Sequence, residues 1–547
     1  MVTPLIIHRS HPILRKDEKM QNNIYTILEE LINIQSDTNT HLEKDIERYL
    51  LDHISQMPWF KDHPTFGLEP LSHDDLERGI VWALLKGNGP NTIILLNHHD
   101  AVDIDVYGNL KEVAFDSDAL KASLKNLKLD DETHHDLEDS NWMFGRGTAD
   151  MKAGIAIHLH LLEMYASKNL KGNILFISVP DEENLSQGMR HGSQLLHQLS
   201  NTYDLNYELL INSEPHERTN NQFTIYDSSV GKNMAAIYVQ GIKSHIGKIY
   251  DGLNPTLLLS NIVQKTELNP MFSDSVLGDQ SPPPSWSYVR DFKASYDASV
   301  PEAAGGYLSF LTLESTPIDI LSHLKEICSD AMTEMVEHKK RTYETIYKKN
   351  YDKVHHVPQV KLYQDLLHDA TQKNRQATEQ SLRECKMYIK DELKAKRLTI
   401  PESNFILIRS LLDIVTYSEP TAVVALSPPF YPHISTETAH QSVMNTVKDI
   451  LKEDEIDFQH YFMGISDLSY TGLQNADKIT PYVAPNMPLW DEDFYTIDFS
   501  SLKKLSIPSI ILGPWGKDLH KMTERVYVPD LVENTHLLIS KLIDQLL

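Results

Sequence analysis

Apolar residues recur near the 3.6-residue period at Ile24, Ile27, Leu28, Leu31 and Ile32, and again at Leu42, Ile46, Leu50 and Ile54, which predicts helix over residues 20–56. Beyond them the chain alternates short apolar runs with amphipathic stretches. Four runs, at 92–96, 174–179, 209–211 and 507–512, are rich in β-branched residues and apolar on both faces. Strands buried in a mostly parallel sheet have that character. Between the first two lies 153–170, whose Ile155, Ile157, Leu159, Leu161, Leu162 and Met164 suit a buried helix. Strand, helix, strand makes the fold class α/β.

The middle of the chain reads differently. AAIYVQG, after about residue 229, is expected to be a strand, 255–268 a helix and 306–315 a strand of alternating character. Residues 318–398 carry almost no Gly, one proline (Pro358) and dense Lys, Glu, Asp and Leu, which predicts long helix in two or three segments. Their charge is read as a solvated face, since no heptad is sustained. Strand returns at 421–430 and helix at 437–453, and LDDETHHDLEDSN (129–141) is read as an exposed loop. The resulting organisation is an α/β domain over 1–228 and 435–547. An α+β domain with a long helical extension is inserted at 229–434.

Composition narrows the functional classes. At roughly 150 residues per domain, 547 residues make two to four domains. The net charge of −26 opposes broad binding to nucleic acid, which requires basic surfaces. The two cysteines, Cys328 and Cys385, cannot build a disulfide framework or a thiolate metal cage. No apolar run approaches the ~20 residues of a membrane span, and MVTPLIIHRSHPILRKDEK lacks the apolar core of a secretion signal. A cytoplasmic protein without membrane contact is expected.

The candidate chemistry lies where the apolar runs end. IILL stops at His98, His99 and Asp100; ILFISV at Asp181, Glu182 and Glu183; LLIN at Glu214; and IILG leads through PWGKDL to His520. Ligands of open parallel sheets bind beyond the carboxyl ends of the strands, so four such endings converge imidazoles and carboxylates on one edge. FGRGTADMKAG adds Asp150 just ahead of the helix expected from Ala153. Carboxylate and imidazole without thiolate suit zinc, with manganese or cobalt as alternatives. His134, His135 and His216 are expected on the surface or in loops, His99 is expected to be structural or solvent-facing, and Asp181 is read as a turn residue.

These motifs resemble, in order, those of the co-catalytic zinc amidohydrolases and metallopeptidases that include aminoacylase, carboxypeptidase G and succinyl-diaminopimelate desuccinylase. His98-His99-Asp100-Ala101-Val102, GRGTADMKAG, PDEE, SEP and GPWGKDLHKMTE carry the resemblance. The long helical insertion, SPPFYPH and GISDLSY are most similar to the bacterial arginine-utilisation branch. The resemblance implies two divalent ions bridged by Asp150, with His98 and Glu214 on one and Glu183 and His520 on the other. It implies that Asp100 orients His98, and that Glu182 takes a proton from the attacking water and returns it to the leaving amine. His245, in VQGIKSHIG, would steady the oxyanion, often in the active site of the partner subunit of a homodimer; the resemblance thus implies that 1–228 and 435–547 form the catalytic domain and 229–434 the lid or dimerisation domain.

One departure concerns the substrate. Exopeptidase relatives carry an Arg that grips the substrate carboxylate, whereas GYLSFLTLEST contains none and Tyr296-Asp297 stands where an Asn is common. Asp297 or Glu302 would favour a cationic, arginine-related group. The leading expectation is hydrolysis of a small N-acyl amino acid or short peptide, possible within arginine or amino-acid catabolism. A carbamoyl or ureido C–N hydrolase and a non-catalytic binding or regulatory protein are the alternatives.

Overall fold

The computed structural model describes residues 23–218 and 222–547. The N-terminal stretch and the first residues of the helix expected from residue 20 lie outside them.

The four apolar runs form four consecutive neighbours of a nine-stranded sheet: Asn173–Val179, Asn91–His98, Asn206–Asn212 and Ser509–Ile511, all mutually parallel. Flanking strands Gly79–Leu85 and Phe66–Pro70 pair antiparallel on one side, and Phe223–Ser229 pairs antiparallel with Ser509–Ile511 on the other. The α/β reading holds, with the parallel strands at the centre and a further parallel pair, Ile456–Phe462 on Phe223–Ser229, at one side. Alternate residues of the central strands point to opposite faces, as the pleat requires. Ile93, Leu95, Ile174, Phe176, Leu209 and Ile211 pack with helix Ala153–Ala166. Ile94, Leu96, Leu175, Ile177 and Leu210 pack with Met189, Leu195, Leu196 and Leu199 of helix Gln187–Tyr203. Both faces are dry, so these strands show no polar alternation.

At Val230 the chain leaves this sheet for a second, five-stranded one, ordered Ser285–Asp291, Ala303–Thr312, Gly231–Gln240, Thr421–Tyr431 and Gln359–Leu362, and it returns between Tyr431 and Ile434. Ile237, Val239 and Leu308 face helices Pro255–Thr266 and Pro317–Tyr347. Ala236, Tyr238 and Val423 face Leu366 and Ala370 of Tyr363–Lys394, and Phe405, Ile408 and Leu411 of Ile400–Val415.

Several local expectations are corrected. The helix over 20–56 is interrupted: residues 23–32 and Glu43–Gln56 are helical, and the segment between them lies against the end of a central strand. There Thr38 N donates to Ala101 O (2.8 Å) and Ala101 N to Ser36 O (2.9 Å). The polar SDTNT sequence, whose Thr40 hydroxyl donates to Asp37 O, competes with helix by bonding its own backbone. Residues 129–141 are not a loop. Asp131–Glu138 is helical, with Asp130 accepting from Thr133 N (2.8 Å), and Asp136 and Leu137 are buried. The long charged stretch contains the short strand Gln359–Leu362 directly after Pro358, and its two helices stop at Tyr347 and Lys394. No described helix is long and apolar enough to cross a membrane.

Candidate metal centre

The sheet edge positions the site. His98 ends Asn91–His98, Glu182 and Glu183 follow Asn173–Val179, and Glu214 follows Asn206–Asn212. His520 lies beyond Ser509–Ile511. Asp150 sits in a tight turn, Thr148–Lys152, ahead of helix Ala153–Ala166. Gly147 enters that turn at φ +73°, where a side chain would be strained and its Cβ would meet Lys152 Cε at 3.2 Å. A residue not singled out by sequence fixes the turn from below. Buried Glu524 accepts from Ala149 N (3.2 Å) and Asp150 N (3.3 Å) through one oxygen and from Arg146 Nη1 (2.5 Å) through the other. Its place in HKMTE was the available signal.

The five metal-ligand candidates meet in one cleft. Asp150 Oδ1 is 3.1 Å from His98 Nε2, and Asp150 Oδ2 is 3.2 Å from His520 Nε2. Glu214 Oε1 lies 3.6 Å from His98 Nε2, and Glu183 Oε2 lies 3.2 Å from His520 Nε2. One oxygen of Asp150 therefore faces the His98–Glu214 pair and the other the His520–Glu183 pair. Asp100 accepts from Glu182 N (3.1 Å) and Glu183 N (3.0 Å), locking the PDEE turn to the neighbouring strand. His98 Nδ1 lies 3.1 Å from the Asp100 backbone carbonyl and 3.4 Å from its carboxylate.

Charge is crowded here. Burial, with Glu214, Asp467 and Glu183 nearby, holds the Glu182 carboxyl well above the usual range. Burial and Asp150 push Glu183 up to about 7. Hydrogen bonds to Asp150 and Glu183 push His520 up to about 10. Burial opposes protonation of His98, but Glu214, Asp100 and Asp150 hold its imidazole well above the ordinary value. Burial raises Asp150, yet hydrogen bonds from His520 and His98 hold it well below the carboxylate range. A buried set of this kind calls for cations. The residues fit a pair of divalent ions: the donors are imidazole and carboxylate, Asp150 is shared, and buried Glu183 Oε1 has no hydrogen-bond partner.

The other candidates separate from the cleft. His99 is buried and structural, its Nδ1 3.0 Å from Ser178 Oγ, and burial pushes its pKa down to about 3. Asp181 adopts φ +68° in the turn and pairs with buried Arg78 (2.9 Å). His135 is exposed, whereas His216, expected at the surface, is buried with Nδ1 2.8 Å from Gly513 O. The SEP segment passes inside the fold, which explains that correction. His245 is exposed on its loop, its Nδ1 accepting from Gly247 N, and does not line the cleft of its own chain. Asp297 and Glu302 are exposed too; Asp297 is engaged by Lys293 and Ser299. A cavity of about 280 Å³ opens above the ligand set. Two residues of the second sheet, Lys232 and Tyr431, line it, and neither stood out in the sequence. Nor did the role of Asp467 in GISDLSY: both its oxygens are buried without a hydrogen bond, and burial pushes it up to about 7.

Residues 113–490 match Peptidase family M20/M25/M40. The chain belongs to this family. It is an M20 metallopeptidase-type C–N hydrolase, as the ordered motifs imply. The M20 chain is 29% identical over 530 residues to the uncharacterized protein YqjN of Bacillus subtilis, covering 93% of each. It is 29% identical over 519 residues to protein RocB of the same organism, covering 91% of this chain and 90% of RocB, in line with the branch that its motifs resemble. Among solved structures, aminopeptidase PepT from Bacillus cereus shares the fold with a TM-score of 0.54 at 13% identity, covering 96% of this chain and 98% of PepT. A tripeptidase from Staphylococcus aureus does so at 0.52 and 12%, covering 96% and 99%.

Proposed function

We propose that this M20 chain hydrolyses the amide bond of a small N-acyl amino acid or short peptide, using two divalent ions and Glu182 as general base. The observation that carries the reading is the division of Asp150: Oδ1 faces His98 and Glu214, and Oδ2 faces His520 and Glu183. In this proposal those five residues hold the ions, with zinc the first choice from the donor set. When bound, the ions supply the Lewis acidity that polarises a scissile carbonyl and acidifies an attacking water. The chain's own groups do the rest. Glu182, held in place by the bond from its backbone N–H to Asp100, accepts the water's proton and delivers it to the leaving amine. Asp100 keeps both glutamates and the His98 ring in register. Residues 229–434 act as the lid in this reading, and a place in arginine catabolism rests on the motif resemblance to the arginine-utilisation branch.

The test is a panel of N-acyl amino acids and dipeptides offered to protein loaded with zinc, manganese or cobalt. Free carboxylic acid and amine should be released by chain carrying about two ions. Carbon dioxide and ammonia would instead identify ureido cleavage, and metal-free, inert protein would leave only a binding role.

His245 completes the proposal in a homodimer. It is exposed and outside its own cleft, which fits a residue acting in that of the partner subunit. His245→Ala and Glu182→Gln chains, each inactive alone, should on mixing and subunit exchange recover about a quarter of wild-type activity, since half the sites of each mixed dimer are intact. No recovery from a demonstrably exchanged mixture would mean that His245 does not act in the partner subunit's site.

A further inference from the structure

The cavity beside the ligand set has one feature that hydrolysis alone does not use. Lys232, at the start of strand Gly231–Gln240, lies directly opposite Tyr431 of Thr421–Tyr431. Directly opposed residues of antiparallel strands project from the same face. Both line the cavity, and the Tyr431 hydroxyl is anchored 3.0 Å from Ser186 Oγ. Among the described residues lining the cavity, Lys232 is the only lysine or arginine. Its ammonium forms no ion pair and no hydrogen bond among the described residues; its electrostatic neighbour is Glu182. Burial pushes its pKa down, and the Glu182 carboxylate offsets part of that. Phe462, Ile465 and Leu519 are the apolar residues of the lining besides Tyr431.

We infer that Lys232 is the specificity-determining residue of this site, pairing with a carboxylate of the substrate close to the scissile amide while an apolar substituent meets the Phe462, Ile465 and Leu519 side chains of the lining. The inference rests on the hydrolase reading above and names its substrate class. The charges of the site support it. In the hydrolase reading the carboxylates of Asp150, Glu183 and Glu214 face the ions, and Glu182, the acid that acts on Lys232, makes no ion pair with its ammonium. An unpaired, partly buried cation is costly, and an incoming carboxylate removes that cost while forming a charge-assisted hydrogen bond. The alternative of a guanidinium read by Asp297 or Glu302 finds no support in the cavity. Both are exposed outside its lining, and a second cation beside Lys232 would be repelled.

The experiment compares N-acetyl-leucine and leucyl dipeptides with their C-terminal carboxamides, on metal-loaded wild type, Lys232→Met and Lys232→Arg. Turnover is followed together with ligand-induced shifts in melting temperature. Wild type should favour the carboxylates in kcat/KM. Lys232→Met should raise KM for them roughly ten- to a hundred-fold, far more than for the carboxamides, and Lys232→Arg should restore part of the loss. Equal use of acid and amide by wild type, or an equal loss on both in Lys232→Met, would overturn the assignment and leave the hydrolase reading standing. Absence of turnover with any ion, alongside carboxylate-induced stabilisation that vanishes in Lys232→Met, would do the reverse. Absence of both turnover and binding would remove both.

Discussion

Replacing Glu182 by Gln is expected to lower kcat roughly a thousand- to ten-thousand-fold while the protein keeps its metal ions. Gln has the same shape and retains the backbone N–H that Asp100 accepts at 3.1 Å, so the PDEE turn has no reason to move. What it cannot do is accept the proton of the attacking water and pass it to the amine. Its neighbour behaves differently. Glu183 faces His520 at 3.2 Å and is one of the five proposed ligands, so Glu183→Gln should lower metal content as well as rate. Measuring ions per chain together with kcat separates the two. Burial and neighbouring acids disfavour the Glu182 carboxylate, so the Gln variant, which carries no charge, should melt no lower than wild type. Activity near wild type in metal-replete Glu182→Gln would remove Glu182 as base. Coincident loss of metal would make it a ligand.

The sequence carried the central sheet because both faces of those strands are dry. Continuous apolar runs at 92–96 and 174–179 have no other use in a chain with only short apolar segments. It also pointed to the five side chains that meet in the cleft, because each stands at or beyond the end of a strand or turn and the topology brings those ends together. What was hidden depends on contacts between distant segments. Glu524 matters only because its carboxylate reaches the Asp150 turn, and Arg146 holds it there. Asp136 is buried because Arg525 and Lys517 cover it, which turned an acidic stretch that looks solvated into a packed helix. Lys232 is an ordinary strand lysine in sequence; only pairing with Tyr431 places it over Glu182. Composition and periodicity report what a segment buries, not what another segment brings to it.

Stripping divalent ions from the protein should destabilise it, and by more as the pH rises. Below about pH 6.5 the metal-free cleft has a substitute for its cations. Protonated His98 and His520 stand between Asp150, Glu183 and Glu214, with folded-state pKa values raised above those of an unfolded histidine. A base raised on folding stabilises fully below its unfolded pKa, and that contribution is lost as pH climbs towards the folded value, about 10 for His520. Glu183, raised to about 7, works in the same direction, since ionising it in the fold costs more than in the unfolded chain. Metal-loaded protein follows the opposite course, because deprotonated ligands bind ions more tightly. An ion held at a thousand times its dissociation constant adds about 4 kcal/mol, so two should separate the melting curves by on the order of ten degrees or more at pH 8. Melting with zinc or with chelator at pH 6, 7, 8 and 9 should therefore give a gap that widens steadily. A gap that stays constant or narrows would mean that protons and metal ions do not compete for these residues, and the cleft would lose its standing as a metal centre.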